Sequence, residues 1–294
     1  MLAKKGKKNI LIAFLFLFLF ILFQKYNIVK ENFTDNSNKY ACIYAYYEKD
    51  NNYKENFEYF LDNVVSKRSD IDYYLVINGK YTVELPDETS NIKIIKRQNK
   101  GFDFGAWSHC VKKYIKKPYD YYIFLNTSVK GPYPSDTDWL VRFIDLFKSG
   151  PGDIKLVGTS INVLPDVKEP KDIVKKLYNY PPPYTHVQSM FFILNNDGYN
   201  ILLTERFFDD ENKLNNTTDL QVVVLEKEIR MSQILLKKGY NINSILSKYR
   251  DKDYTKITTN FNTSGDDPYY KGAYFGSTIT KEEAIFFKTN RNMI

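Results

Sequence analysis

The sequence predicts an α/β domain with a mixed, mostly parallel sheet and helices on both faces. Two observations lead there. Short apolar runs rich in Tyr, Ile, Val and Phe alternate with segments whose apolar residues recur at helical spacing, the pattern of strands joined by covering helices. About 260 residues remain beyond an N-terminal apolar run, enough for one large domain of this class that needs neither disulfide nor metal to fold. In such sheets ligands sit beyond the carboxyl ends of the strands, so the residues that follow each strand are the first place to look for chemistry.

The elements follow in order. Tyr40 to Tyr47 (YACIYAYY) is the first strand. Phe57, Phe60, Leu61 and Val64 then mark one face of a helix over Tyr53 to Val65. Asp72 to Asn78 is a second strand, stopped by the turn signal Asn78-Gly79. Ile92 to Lys96 is a third, and Ala106 to Ile115 a helix. Tyr119 to Asn126 is a fourth strand. Trp139 to Phe147 is a helix with Asp138 as its cap. Lys155 to Thr159 and Ser189 to Leu194 are strands, Leu220 to Lys238 a long helix, and Ile242 to Ser247 a short strand.

Ahead of this domain, Ile10 to Phe23 is an unbroken apolar run preceded by Lys4, Lys5, Lys7 and Lys8. Fourteen apolar residues suit a signal-peptide core, yet the run ends in Phe23-Gln24-Lys25-Tyr26 with no small-x-small cleavage site. Ile28 and Val29 lengthen it, with Lys25 snorkelling. The reading is an uncleaved signal-anchor over 10–29, a cytosolic basic tail over 1–9, a polar stem over 30–39 and the α/β domain over 40–294. Lysines before the run keep the N-terminus cytosolic, giving a single-pass type II membrane protein whose domain faces the Golgi or ER lumen if a eukaryotic cell makes it. The sequons at Asn32, Asn215 and Asn262 agree with a lumen but arise by chance in an Asn-rich chain.

Composition excludes several classes. The formal charge of +7 includes the five lysines around the anchor, and no dense basic stripe marks a nucleic-acid face. Two Cys and two His make a structural zinc site a poor reading, and Cys42 and Cys110 read as buried free thiols. The 25 tyrosines suit sugar stacking, but biased base composition is the favoured explanation.

Two strand ends carry the candidate chemistry. After the third strand comes Asn99-Lys100-Gly101-Phe102-Asp103-Phe104-Gly105-Ala106. Gly101 and Gly105 let the backbone approach a ligand, the following helix points its amides there, and Asp103 can accept from sugar hydroxyls. The plainer reading is that the glycines shape a loop and Asp103 caps the helix. The fourth strand ends in Asn126-Thr127-Ser128, followed by Gly131-Pro132, which is either a site at the sheet rim or an ordinary turn.

In this order the segments resemble the donor half of GT-A glycosyltransferases. More narrowly, they are similar to the rhamnan-synthesis-F-like family and its uncharacterised eukaryotic and viral relatives. The resemblance also rests on Lys155-Leu156-Val157-Gly158-Thr159, His186-Val187-Gln188-Ser189-Met190, Glu228-Ile229 with Ser232, Gly239-Tyr240-Asn241-Ile242, Gly272-x-Tyr274-x-Gly276 and Glu283 to Phe286. It spans most of the chain from Tyr40. It implies a GT-A-like domain that transfers a hexosyl or deoxyhexosyl group from a nucleotide-diphospho-sugar donor to a glycan or glycoprotein acceptor. It also implies a donor site at Asn99, Gly101, Asp103, Gly105, Asn126 and Ser128.

One departure stands out. The position where GT-A enzymes usually carry Asp-x-Asp for a divalent cation (Mn or Mg) reads Asn126-Thr127-Ser128, and a neutral amide is a poor ligand for a hard cation. No metal ligand is therefore assigned. Asp70/Asp72, Asp136/Asp138 and Asp251/Asp253 read as turn, cap or solvated residues, and Lys100, Lys130 and Lys288 are candidates to meet the diphosphate charge. An inverting transferase needs a general base. The candidates are His186 and Glu228. His186 follows a stiff proline-rich loop and is either at a cleft mouth or a hydrogen-bonded structural histidine. Glu228 lies on an amphipathic helix beside Glu226 and Lys227, which read as solvated, and is preferred to Glu226 only for the family-like Glu-x-x-x-Ser pattern. Two other readings stay in view: an inactive relative that binds glycans or scaffolds, and a Rossmann-type oxidoreductase. The spacing Gly101-x-x-x-Gly105 after a third strand does not fit the oxidoreductase.

Overall fold

The computed structural model describes residues 39–135, 138–166, 179–209 and 214–291. The signal-anchor and stem readings fall outside them. Among the described residues no helix is long and apolar enough to cross a membrane.

A seven-stranded sheet organises the domain, in spatial order β10-β6-β9-β4-β1-β2-β3. Its strands are β1 (Tyr40–Tyr46), β2 (Ile71–Asn78), β3 (Ile92–Arg97), β4 (Tyr121–Asn126), β6 (Ile154–Gly158), β9 (Phe191–Asn195) and β10 (Asn241–Ser244). The pairs β1/β2, β2/β3, β1/β4 and β6/β10 are parallel, whereas β9 runs antiparallel to both β4 and β6. This is the mixed, mostly parallel sheet expected.

Helices cover both faces because side chains alternate along each strand. Tyr44 and Tyr46 point to one face and meet Phe57 and Phe60 of α1 (Asn51–Phe60), with ring centroids 4.4–4.8 Å apart. On the other face Trp107 of α2 (Phe102–Lys113) packs edge-on against Phe124 and Phe192. Tyr199 of α4 (Asn196–Thr204) stacks on Tyr122 there. The short helix α3 (Trp139–Ile144) brings Trp139 and Phe143 onto Phe191, back on the face of α1. Many of the tyrosines are core residues, among them Tyr44, Tyr46, Tyr73 and Tyr122. Cys42 and Cys110 are buried free thiols, as read.

Two helices and four short strands depart from the sequence reading. The helix expected from Ala106 starts at Phe102, because Gly101 takes a left-handed conformation (φ 72°) that turns the chain into it. The helix expected over Leu220 to Lys238 divides into α5 (Leu220–Val223), a π-helical stretch (Val224–Ile229) and α6 (Arg230–Lys237). Four short strands also escape periodicity. They form two small pairs: β5 (Val129–Lys130) with β11 (Phe287–Lys288), and β7 (Ile161–Leu164) with β8 (Tyr184–Val187). A last short helix, α7 (Lys281–Ala284), is capped by Thr280.

Candidate functional site

The parallel registers align the carboxyl ends of four strands on one rim. Tyr46 lies opposite Ile77, Asn78 opposite Arg97, and Ala45 opposite Asn126. Because β9 is antiparallel, the residues that precede it arrive at the same rim. Phe191 pairs with Leu125, and the Asn126 N–H donates to the Met190 carbonyl at 3.2 Å. This topology brings the 186–189 segment to the ends of the parallel strands.

At the centre, the Asn126 amide donates to Asp103 Oδ2 at 2.6 Å. The Asn126 side-chain oxygen Oδ1 accepts from the Ser128 N–H (2.9 Å) and hydroxyl (2.6 Å). Asp103, Asn126 and Ser128 thus form one bonded unit. Asp103 stands in the first turn of α2, and only one of its carboxylate oxygens is committed to Asn126. Burial, reinforced by the negative charge of Glu228, pushes its carboxyl up to about 7, against the opposing pull of the Asn126 hydrogen bond and Lys288.

That shift carries a stability consequence with a definite sign. A carboxyl whose folded pKa lies above its unfolded value near 4 favours the fold most at low pH, and that contribution is lost as pH rises through about 7. Asp103→Asn removes the ionisation while keeping an oxygen for the Asn126 amide. The melting temperature of the wild type should therefore fall relative to Asp103→Asn between pH 5 and pH 8. Parallel curves over that window would refute the burial of this carboxyl.

Glu228 sits in the π-helical stretch, a distortion often found at functional sites. Its side chain is 17% exposed. Oε2 accepts from the Ser189 N–H at 3.0 Å and from the Ser189 hydroxyl, and Oε1 faces His186 Nε2 at 3.7 Å. His186 is not at a cleft mouth; of its two sequence readings the structure agrees with the hydrogen-bonded structural histidine. It lies inside β8 at 2% exposure, behind Glu228. Its Nδ1 is 2.8 Å from the Tyr184 carbonyl. A carbonyl can only accept, so Nδ1 carries the proton and Nε2 presents its other edge to Glu228. Burial lowers the His186 pKa and Glu228 opposes this. Of the two base candidates, Glu228 is the one that reaches solvent. Glu226 and Lys227 are buried rather than solvated, and the Lys227 ammonium donates to the Phe207 carbonyl at 2.6 Å.

The glycines have a different neighbour from the ligand expected. A β-carbon on Gly101 would strike the backbone of Asn215, and one on Gly105 would strike the Lys100 carbonyl and then lie 2.7 Å from the Asn215 carbonyl oxygen. The Gly101 N–H donates to the Thr217 carbonyl at 3.0 Å. Their close approach is to the 214–217 segment, so both glycines are buried under protein. Asn99 is on the rim, its Cβ 3.8 Å from where a β-carbon of Gly79 would stand, with Tyr47 alongside at 4.0 Å. Arg97 steadies this corner through Asn78 (2.6 Å) and the Lys100 carbonyl (2.7 Å).

Of the candidate cations, Lys100 is exposed and Lys130 lies over the Tyr59 ring at 5.3 Å. Lys288 is the one close to the acids. Burial lowers its pKa, while Asp267, Glu228 and Asp103 raise it. Asp267, itself paired with Arg291 at 3.4 Å, joins the site with no local sequence signal. Ser189 was visible only as part of the apolar-strand motif after His186.

The donor set does not fit a divalent cation. Asn126 and Ser128 are neutral and spend their atoms on each other, and no group of three His, Cys, Asp or Glu among the described residues is placed to hold an ion. The other Asp-x-Asp residues that are described have structural partners. Asp70 and Asp138 pair with Arg68 and Asp72 with Lys117, all at 2.7 Å. Asp251 accepts from Ser149 at 3.1 Å and Asp253 pairs with Lys256 at 2.7 Å. Two sequons are closed in the fold. The Asn215 amide donates to the Phe208 carbonyl, and Asn262, 1% exposed, donates to Tyr249 and Ala273.

Several solved structures are similar in fold. One is the mannosyltransferase PcManGT from Pyrobaculum calidifontis in complex with GDP-Man and Mn2+. It shows 11% identity and a TM-score of 0.40 over 71% of this chain, and this chain covers 55% of its length. A second is the galactosyltransferase LgtC with donor and acceptor sugar analogs, at 12% identity, a TM-score of 0.37 and coverage of 69% and 73%. A third is a glycosyltransferase involved in the glycosylation of the major capsid of PBCV-1, at 14% identity, a TM-score of 0.34 and coverage of 70% and 81%. No curated protein sequence matches the chain. The model of the family described as rhamnan synthesis protein F matches residues 75–290, from the middle of β2 to the tail beyond β11, and with it every element of the rim from Asn78 onward. The chain belongs to the rhamnan synthesis protein F family.

Proposed function

We propose that the domain transfers a sugar from a nucleotide-diphospho-sugar donor to a hydroxyl of a glycan or glycoprotein acceptor, held to a membrane by the apolar run of 10–29. The observation that carries the reading is the bonded unit of Asp103, Asn126 and Ser128 at the carboxyl rim, within electrostatic reach of Glu228. In this reading Asp103 accepts from the donor sugar's hydroxyls. Asn99 and Tyr47 flank the nucleoside end, and Gly101 and Gly105 act indirectly by seating the 214–217 segment against α2. Glu228 takes the proton from the acceptor hydroxyl, whose oxygen attacks the anomeric carbon as its bond to the phosphate oxygen breaks. The diphosphate leaves with that electron pair, and the step inverts the anomeric centre. Ser189 fixes one carboxylate oxygen of Glu228, and His186 stands behind the other to share the proton gained.

The test is a thermal-shift screen of the full-length chain against nucleotide sugars. A ligand at a hundredfold its dissociation constant stabilises by about 2.7 kcal/mol. Asp103→Ala should lose the shift. If no nucleotide sugar raises the melting temperature while glycans do, the chain is a glycan-binding relative and the transferase reading falls.

A further inference from the structure

The tail of the domain delivers a cation to the strand end that lacks the acids a metal would need. β11 pairs antiparallel with β5, which places Lys288 opposite Val129, and the Thr289 N–H donates to the Ser128 carbonyl at 2.9 Å. Asn56 ties the same junction from α1, donating to the Thr127 carbonyl at 2.8 Å and the Thr289 hydroxyl at 2.7 Å. Lys288 is therefore anchored on both sides beside Asn126-Thr127-Ser128. The rest of Lys288's setting is unusual for a lysine. Its side chain is half-buried, and its ammonium makes no hydrogen bond or ion pair with the described residues. The nearest opposite charges are already engaged: Asp267 with Arg291, Glu228 with Ser189 and Asp103 with Asn126. An ammonium has three donors, and this one, half-buried beside a strand end with no protein acceptor among the described residues, keeps all three for water or a ligand. A phosphate group with several anionic oxygens supplies what is missing.

We propose that this site binds the donor's diphosphate without a divalent cation, with Lys288 in the place of the metal as the counter-charge to the phosphates. The inference rests on the donor-site reading above. It explains together why the strand end carries an amide and a hydroxyl and why a lysine is held against it. A lysine is the point-charge solution to phosphate binding where a bidentate arginine is not required. It also assigns Lys288 a further duty, since the same ammonium faces the diphosphate when the sugar bond breaks.

The experiment is calorimetric titration of the full-length chain with UDP, GDP, CDP, ADP and dTDP, each in EDTA and in manganese, followed by Lys288→Met and Lys288→Arg with the diphosphate that binds best. The expected result is a dissociation constant that changes less than about threefold between EDTA and manganese. Lys288→Met should weaken binding at least about tenfold, the scale of one charge-assisted hydrogen bond, and Lys288→Arg should recover most of the loss. Binding seen only with manganese overturns the inference and leaves the donor reading standing. Equal binding by Lys288→Met overturns it as well. No binding by any diphosphate under either condition overturns the donor reading itself. The comparison of EDTA with manganese uses the wild type and so does not depend on whether a variant folds.

Discussion

Glu228→Gln should reduce sugar transfer by about 10²–10⁴-fold while leaving the fold and the melting temperature nearly unchanged. The geometry makes this substitution unusually clean. The Gln carbonyl oxygen can keep both hydrogen bonds from Ser189. The new amide N–H₂ would face His186 Nε2, which carries a lone pair because Nδ1 donates to Tyr184. Nothing buried is left without a partner, so the usual penalty for cutting a buried pair does not arise. What disappears is the capacity to take a proton. The measurement is initial transfer rate at saturating donor and acceptor, alongside donor affinity. A loss in kcat with donor affinity intact is the expected signature. A Glu228→Gln variant that transfers at the wild-type rate would remove the general base from this account. His186→Asn should have a smaller effect, because His186 is sealed behind Glu228 and reaches no substrate.

The largest effect on folding is expected from Gly101→Ala. The residue holds φ at 72°, a conformation that costs an alanine about 1–2 kcal/mol. Its new β-carbon would also strike the Asn215 backbone, and overpacking against backbone costs about 1–3 kcal/mol more. A total of about 2–5 kcal/mol is a large part of the stability of a domain this size. The loss appears as a shift in the denaturation midpoint. Gly105→Ala meets the Lys100 and Asn215 carbonyls without the backbone term and should fall at the lower end. Gly239→Ala is an informative control. It has a positive φ but nothing within 4 Å of a β-carbon, so it isolates the conformational cost. If Gly101→Ala costs no more than Gly239→Ala, the 214–217 segment does not lie on that glycine in solution.

Much of the rim was legible because it is written locally. An apolar strand that stops at Asn78 or Asn126 and passes into short polar side chains announces its end. The rule that ligands gather at the carboxyl ends of parallel strands then places Asp103 and Asn126 near each other. Their 2.6 Å hydrogen bond meets that expectation. Glu228 was separated from Glu226 only by a pattern match, and local signals misjudged its neighbours. Glu226 and Lys227 are charged residues in an amphipathic stretch, which reads as solvated, yet the π-helical turn rotates both inward.

By itself the sequence determined the fold class, the order of the main strands and the two strand ends that meet at the rim, because side-chain periodicity and turn residues act over a few positions. Only the tertiary structure decided what covers Gly101 and Gly105, which edge of His186 meets Glu228, and that Lys288 stands beside Asn126-Thr127-Ser128. Each of these joins segments far apart in the chain. Residue 215 lies on residue 101, and a two-residue strand at 287–288 reaches one at 129–130. A strand of two residues has no period to read, and a glycine shows that something comes close without showing what. Those answers come from the packing of the whole chain, where the antiparallel β9 and the returning tail fix which distant side chains share one rim.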